Sequence, residues 1–310
     1  MEKLSSKTLK GNWGTLLLPI DRNDKIDFSL LQEEIDVLIK AKVDGIYSNG
    51  TAGEFHNIND IEFNKINRLL AESCHKATVP FQIGISHMSP YISKERLINS
   101  ISLQPSAFQV ILPDWVVPNE DEQIIFLKKL SEIAHPVPLV LYNPPHSKLV
   151  LDPYDYHRLA NAVPGLIGIK VASGDKTWFL KMKEVSSQLS VFVPGHFLAS
   201  AYKAGIAKGS YSNVACLSPS GAQHWYNLMQ YDMDEALDIE HSIHIFFDEC
   251  IQPYIKAGYS NPALDKLLAT IGGSTIGTRL RWPYQWIPES EAAILRIKAQ
   301  KILPSFFFNQ

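Results

Sequence analysis

Lys170 stands at the end of a short apolar run, Leu166-Ile167-Gly168-Ile169-Lys170-Val171-Ala172-Ser173-Gly174-Asp175. A run of this kind, bounded by turn residues, reads as a buried strand. Taking an ammonium group out of water is costly, and the cost lowers the pKa of the amine. An amine held neutral near pH 7 attacks carbonyl carbon and forms a Schiff base. A strand-end lysine can equally snorkel to water or take an ion pair, and the run alone leaves both readings open. Two further positions carry reactive groups. Tyr142 closes another apolar run, ahead of the turn Asn143-Pro144-Pro145. Thr51 sits in Ser48-Asn49-Gly50-Thr51-Ala52-Gly53-Glu54. The glycines of that turn let backbone N–H groups approach a ligand closely, and such a turn can cradle a carboxylate. Glycine-rich turns are also common as plain connections, and a strand-end phenol can simply pack with its O–H satisfied.

The elements that must position these groups follow from the hydrophobic pattern. Short, β-branched apolar runs occur at 15–20, 45–48, 81–86, 107–112, 139–142, 166–171, 191–193 and 210–215. Longer amphipathic segments separate them. Residues 28–42 place Leu30, Leu31, Ile35, Leu38 and Ile39 near helical spacing. Asn59 ahead of Asp60 and Glu62 marks one helix start, and Asp152-Pro153 marks another. Strand–helix alternation predicts a parallel sheet, because parallel strands need crossover connections. Eight such units in about 230 residues match an α/β fold of the (β/α)8, or TIM-barrel, kind. A doubly wound open sheet is the alternative, but no G-x-G-x-x-G follows the first run. Past Asp232 the pattern turns to helices alone, at 235–257, 261–271 and 289–302. The expected organisation is a barrel over 1–232 and a C-terminal helical extension over 233–310, not an independent domain. Barrel active sites lie at the C-terminal strand ends, which would bring Lys170, Tyr142 and the Thr51 turn to one face.

These pieces, in this order, resemble the dihydrodipicolinate synthase/N-acetylneuraminate lyase family. The resemblance spans nearly the whole chain. It rests on Gly50-Thr51-Ala52-Gly53-Glu54, on Leu141-Tyr142-Asn143-Pro144-Pro145, on Gly168-Ile169-Lys170 with Ser173-Gly174-Asp175, and on the stretch 205–215. The segment from Asn261-Pro262 to Thr278-Arg279-Leu280-Arg281-Trp282-Pro283 adds to it. The resemblance implies a lysine Schiff base to a 2-oxo acid, commonly pyruvate, with no metal or organic cofactor. It assigns Lys170 as nucleophile, Tyr142 as general acid/base and Thr51 as the hydroxyl beside the keto acid. The N–H groups of Thr51 and Ala52 would hold the substrate carboxylate, and Tyr211 matches a position whose backbone lines the pocket. A protonated imine is an electron sink, so the adjacent carbon is readily deprotonated or released by C–C cleavage.

The chain also departs from that pattern. Ser147 falls where dihydrodipicolinate synthases carry an arginine for the second substrate's carboxylate, and a serine cannot form a bidentate charged pair. Lys148 is one place further on and would point elsewhere. Trp115 falls on the family's relay tyrosine, and an indole donates one hydrogen bond without relaying a proton. It would either wall an apolar pocket or stand on the surface at a subunit contact. Phe197 and Leu198 replace the acidic pair by which sialic acid lyases bind sugar hydroxyls. With Trp115 and Val116 they suggest an apolar mouth and a compact or apolar aldehyde.

The expected function is therefore an aldolase-type lyase joining or splitting a 2-oxo acid and an aldehyde. The alternatives are a dehydratase or hydratase of a keto-deoxy acid on the same imine, and a catalytically impaired keto-acid binder. His241 and His244 could meet on one helix face, but no third metal ligand is evident and the tail is distant from the mouth in sequence. Ser218-Pro219-Ser220-Gly221 lacks a nucleophile-elbow pattern. Phe306-Phe307-Phe308 should dock on the fold or on a neighbouring subunit. The net charge of −3 gives no basis for nucleic-acid or anionic-membrane binding. No signal-peptide core or membrane-length apolar stretch occurs, and three scattered cysteines suggest a reducing compartment. A cytoplasmic homodimer or homotetramer is expected.

Overall fold

Every strand residue of the chain is buried except two half-buried lysines, Lys170 and Lys208. Burial on both faces is why these segments read as apolar runs and not as alternating patterns. The computed structural model describes residues 3–171 and 176–307. Ser173, Gly174, Asp175 and Phe308 lie outside the described residues. The strands are β1 Gly11–Thr15, β2 Gly45–Ser48, β3 Phe81–Gly84, β4 Ala107–Val110, β5 Leu139–Tyr142, β6 Leu166–Lys170, β7 Ser190–Phe192 and β8 Ala207–Tyr211. They are parallel and close into a barrel in chain order, with β1 pairing β8. The fold is the expected TIM barrel with C-terminal helices.

Helices α1 Phe28–Lys40, α2 Asp60–Ala77, α3 Pro90–Ser100, α4 Glu120–Ala134, α5 Pro153–Ala162, α6 Lys176–Gln188 and α7 Leu198–Lys203 follow the first seven strands. Asn59 and Asp152 cap α2 and α5 through complete capping boxes, which satisfy N–H groups that the first turn leaves without partners. After β8 come α8 Asn213–Leu217 and α9 Pro219–Leu228. Then follow α10 Met233–Phe246, a π-type turn at Phe247–Ile251, α11 Gln252–Lys256, α12 Asn261–Gly272 and α13 Glu289–Ile302.

Two strand positions differ from the sequence reading. The run at 15–20 overshoots β1, whose own sequence is Gly-Asn-Trp-Gly-Thr. Leu16, Leu17 and Leu18 are buried beyond the strand end, so their apolarity reports core contact and not pairing. The run at 210–215 likewise starts late. β8 ends at Tyr211, and Ser212 caps α8 by accepting from the Ala215 N–H.

A large aliphatic core packs the helices onto the outside of the barrel, while Leu9, Trp13, Tyr47, Ala107, Val140, Ile167, Phe192 and Tyr211 fill its inside. Phe306 is buried in the outer core, and Ser218 caps α9.

The tail is bound to the barrel by charge as well as by apolar contact. Lys266 on α12 is fully buried, and its Nζ lies 2.6 Å from Oε1 of Glu54. The same Nζ donates to the Arg279 carbonyl at 2.6 Å, and the Arg281 N–H donates to Glu54 Oε2 at 3.2 Å. Glu54 sits at φ 50°, a left-handed conformation that side-chain bonding of this kind holds in place. Breaking a buried pair leaves an uncompensated charge, typically at a cost of about 3–5 kcal/mol. Lys266→Met should therefore lower unfolding free energy by about that amount in denaturant titration; a loss below about 1 kcal/mol would show the pair to be dispensable.

Candidate active site

The site begins with strand register. Tyr142 of β5 lies directly opposite Lys170 of β6, so both side chains leave the same end of the barrel on the same face. Tyr47 of β2 and Tyr211 of β8 come to the same point from across the barrel. Lys170 Nζ donates to Tyr47 Oη at 3.2 Å. It lies 4.3 Å from the Tyr142 ring centre, 5.1 Å from that of Tyr47 and 5.5 Å from that of Tyr211. Tyr211 in turn packs edge-on against Tyr47 and donates to Gln82 Oε1 at 2.7 Å. The amine is thus enclosed by aromatic faces.

That enclosure sets the electrostatics. Desolvation lowers the Lys170 pKa to about 8, against the opposing pull of Asp265 and Cys216. Desolvation likewise raises Tyr142 to about 12, with the facing Thr51 hydroxyl opposing the rise. Tyr47 is raised well above its ordinary value for the same reason. The phenols are therefore neutral proton donors near pH 7, and a fraction of Lys170 is free amine.

The turn after β2 brings two backbone N–H groups to the same end of the barrel. Among the described residues, the Thr51 and Ala52 N–H groups have no backbone or side-chain acceptor. Gly50 and Gly53 serve packing, not positive φ: a Cβ at Gly50 would strike the Tyr47 ring, and one at Gly53 would press on the Leu16 carbonyl. The left-handed residues are their neighbours Asn49 and Glu54.

Lys170, Tyr142, Thr51, Ala52, Tyr211 and Phe197 all line one cavity of about 440 Å³. A second cavity of about 720 Å³ shares Thr51 and Asn261 with it, and Ser147 lies on this outer one. Trp115 lines neither. It is 71% exposed, and Lys148 Nζ sits 4.7 Å over its ring while donating to its carbonyl. Val116 is exposed as well, and Leu198 is buried in the core. The expected apolar mouth of Trp115, Val116, Phe197 and Leu198 therefore reduces to Phe197. Its apolar partners come from the tail: Phe247, Ile251, Ile255, Leu264 and Leu268.

The tail is accordingly not remote from the mouth. The π-type turn, α11 and α12 roof the cavity, and His244 of α10 lies on its wall with its ring 4.9 Å from that of Phe197. His196 stacks on Phe247, hydrogen-bonds Asn213 at 3.0 Å, and is pushed down to about 4 chiefly by burial. Among the described residues, no cluster of three or more His, Cys, Asp or Glu side chains could hold a metal. No helix among them is long and apolar enough to cross a membrane.

The sequence reading missed Tyr47 and Asp265. Asp265 is a carboxylate in the apolar face Leu264, Leu267, Leu268 of α12. A lone acid in such a face is the signal that could have found it.

Comparison with known proteins agrees with this geometry. The model of the dihydrodipicolinate synthetase family matches residues 8–301. The 4-hydroxy-tetrahydrodipicolinate synthase of Ehrlichia canis (strain Jake) is 27% identical over 245 residues, covering 77% of this chain and 81% of the relative. That of Coxiella burnetii (strain RSA 493 / Nine Mile phase I) is 28% identical over 167 residues, so this match spans only 56% of the relative's length. Among solved structures, a prophage protein of the dihydrodipicolinic acid synthase family from E. coli K12, in complex with pyruvate, superposes with a TM-score of 0.83 at 20% identity. The match covers 95% of this chain and 98% of that one. N-acetylneuraminate lyase from Fusobacterium nucleatum gives 0.81 at 18% identity, with 95% and 99% covered.

The free amine should be measurable without any substrate. Competitive acetylation with mass spectrometry should place the Lys170 midpoint near pH 8. A midpoint at the ordinary lysine value, about 10.4, would show that the enclosure does not act on it.

Proposed function

The chain belongs to the dihydrodipicolinate synthetase family, and we propose that it is a Schiff-base lyase that joins or splits a 2-oxo acid, pyruvate foremost, and an aldehyde. The observation that carries this reading is a desolvated lysine, enclosed by tyrosines, on the same cavity as two N–H donors free to take a carboxylate.

The chemistry follows from those positions. The keto acid's carboxylate is held by the Thr51 and Ala52 N–H groups, which places its carbonyl toward Lys170. The neutral amine attacks that carbon, and Tyr142, opposite Lys170 in the strand register, donates the proton that lets the carbinolamine hydroxyl leave as water. That leaves a Tyr142 phenolate, which accepts a hydrogen bond from the facing Thr51 hydroxyl and takes up the proton released in the next step. The iminium then draws electrons from the neighbouring carbon, which loses a proton to give an enamine. The enamine attacks the aldehyde carbon, and hydrolysis of the new imine frees the product and Lys170. Thr51 lies on both cavities, so the aldehyde has room on the outer side. The apolar roof of Phe247, Ile251, Leu264 and Leu268 favours a compact or apolar one.

Pyruvate with borohydride should add mass to the peptide carrying Lys170, and the yield should rise with pH through about 8 as the amine is freed. Label on another lysine, or on none with several 2-oxo acids, would sink the mechanism. Tyr142→Phe keeps the ring and removes the proton donor, so turnover should fall about 10²–10⁴-fold with stability nearly unchanged. An unaltered rate would return Tyr142 to a packing role.

Specificity provides a separate check. Ser147 takes the place of a carboxylate-binding arginine, and Lys170 is the only lysine or arginine on either cavity among the described residues. Aspartate semialdehyde should be a poor partner even where pyruvate binds well. Condensation of the two with kcat/KM above about 10⁴ M⁻¹s⁻¹, the range of ordinary enzymes, would overturn this.

A further inference from the structure

Two groups act on the charge of Lys170, Asp265 and Cys216, and the mechanism above uses neither. The titratable groups facing the amine are Tyr47 on β2, Tyr142 on β5, Tyr211 on β8, Cys216 on α8 and Asp265 on α12. The three phenols and the thiol are all pushed toward their neutral forms by burial. Asp248, His196 and His244 line the same cavity, but none of them figures among the groups acting on Lys170. Asp265 is thus the one carboxylate among the groups acting on the amine. Its own pKa is raised to about 7 by burial, and the Lys170 charge is the sole opposing influence.

The geometry around Asp265 points the same way. Its side chain lines the inner cavity and takes no hydrogen bond or close ion pair among the described residues. A half-buried carboxylate with no protein partner, set in an apolar helix face, costs stability unless something in the cavity compensates it. Its helix is fixed by the adjacent residue, because Lys266 is locked to Glu54 at 2.6 Å. The carboxylate is therefore held at a set place on the wall of the cavity that Lys170 also lines.

We propose that Asp265 is the counter-ion of the protonated imine on Lys170, a positioning charge that the tail contributes to the barrel's chemistry. The inference rests on the Schiff-base reading. From the ammonium form, the lysine loses two protons and the keto oxygen leaves with them as water, so R–NH3⁺ and O=C give R–NH⁺=C and H2O. The positive charge is conserved, but it is now fixed on a nitrogen enclosed by aromatic rings, with less water able to reach it. An anion on α12 stabilises that cation from the wall of the same cavity. The same charge disfavours an aldehyde carrying its own carboxylate.

Asp265→Asn keeps size and hydrogen-bonding capacity while removing the charge. Two measurements test it, with melting curves confirming that the variant folds. First, competitive acetylation should place the Lys170 midpoint at least about one pH unit lower in the variant than in the wild type, because an opposite charge at this range shifts a pKa by about 1–3 units. Second, at pH 9, above both midpoints, where imine formation creates the charge, the pyruvate concentration for half-maximal borohydride trapping should rise about tenfold, the equilibrium equivalent of one unit. Asp265→Glu should recover part of both. An unchanged Lys170 midpoint, or unchanged pyruvate dependence across pH 6–9, would overturn the proposal. If the midpoint shifts but the wild type traps no 2-oxo acid at all, the Schiff-base reading itself has failed, and the counter-ion role falls with it. If Asp265→Asn does not fold, Asp265→Glu and Asp265→Ser carry the same comparison. Equal midpoints in those two variants would then overturn it.

Discussion

The buried ion pair between Glu54 and Lys266 is the contact on which the site depends. Glu54 ends the turn that presents Thr51 and Ala52, and Lys266 lies one residue from Asp265 on the helix that roofs the cavity. One 2.6 Å contact therefore ties that turn of the barrel to the cover supplied by the tail. Without that cover the strand ends would open to water, as they do in any bare barrel. The amine of Lys170 would then regain its hydration, and with it an ordinary lysine pKa. A buried pair of this kind is a poor source of stability, because desolvation consumes most of its attraction. Its value here lies in geometry: neither charge can be accommodated unless α12 sits in one place.

The enclosure works by subtraction of water. Three tyrosine rings surround the lysine, and each phenol is kept neutral by the same burial that partly neutralises the amine. A partly neutral amine and neutral phenols thus coexist at one pH. That arrangement needs different responses to a single environment: desolvation penalises the charged form of each, which is the protonated form of lysine but the deprotonated form of tyrosine. Asp265 shares this environment, and burial raises its own pKa to about 7 against the pull of the Lys170 charge.

Much of this was legible in the sequence because barrel strands are buried on both faces and announce themselves as apolar runs. The eight units, the caps at Asn59 and Asp152, and the convergence of Lys170, Tyr142 and the Thr51 turn all follow from pattern and topology. What was not legible depended on where the chain returns in space. Leu16 to Leu18 and the residues after Tyr211 are apolar for core contact, so two strands were displaced by several positions. Trp115 and Leu198 were placed on the mouth by position relative to strand ends, yet one faces solvent and the other the core. The true apolar wall lies more than a hundred residues downstream of Trp115, on helices whose docking no local signal specifies. Asp265 could have been suspected only from its oddness in an apolar helix face.

In the proposed reaction the roofed cavity brings a keto acid's carbonyl to Lys170 while its carboxylate rests on the Thr51 turn. A crystal structure of the protein soaked with pyruvate tests this directly. The expected result is continuous density between Lys170 Nζ and the second carbon of pyruvate, with the carboxylate on the N–H groups of Thr51 and Ala52 and Asp265 facing the imine nitrogen. An unmodified Lys170 with pyruvate bound elsewhere, or an imine whose carboxylate points away from Thr51, would contradict it.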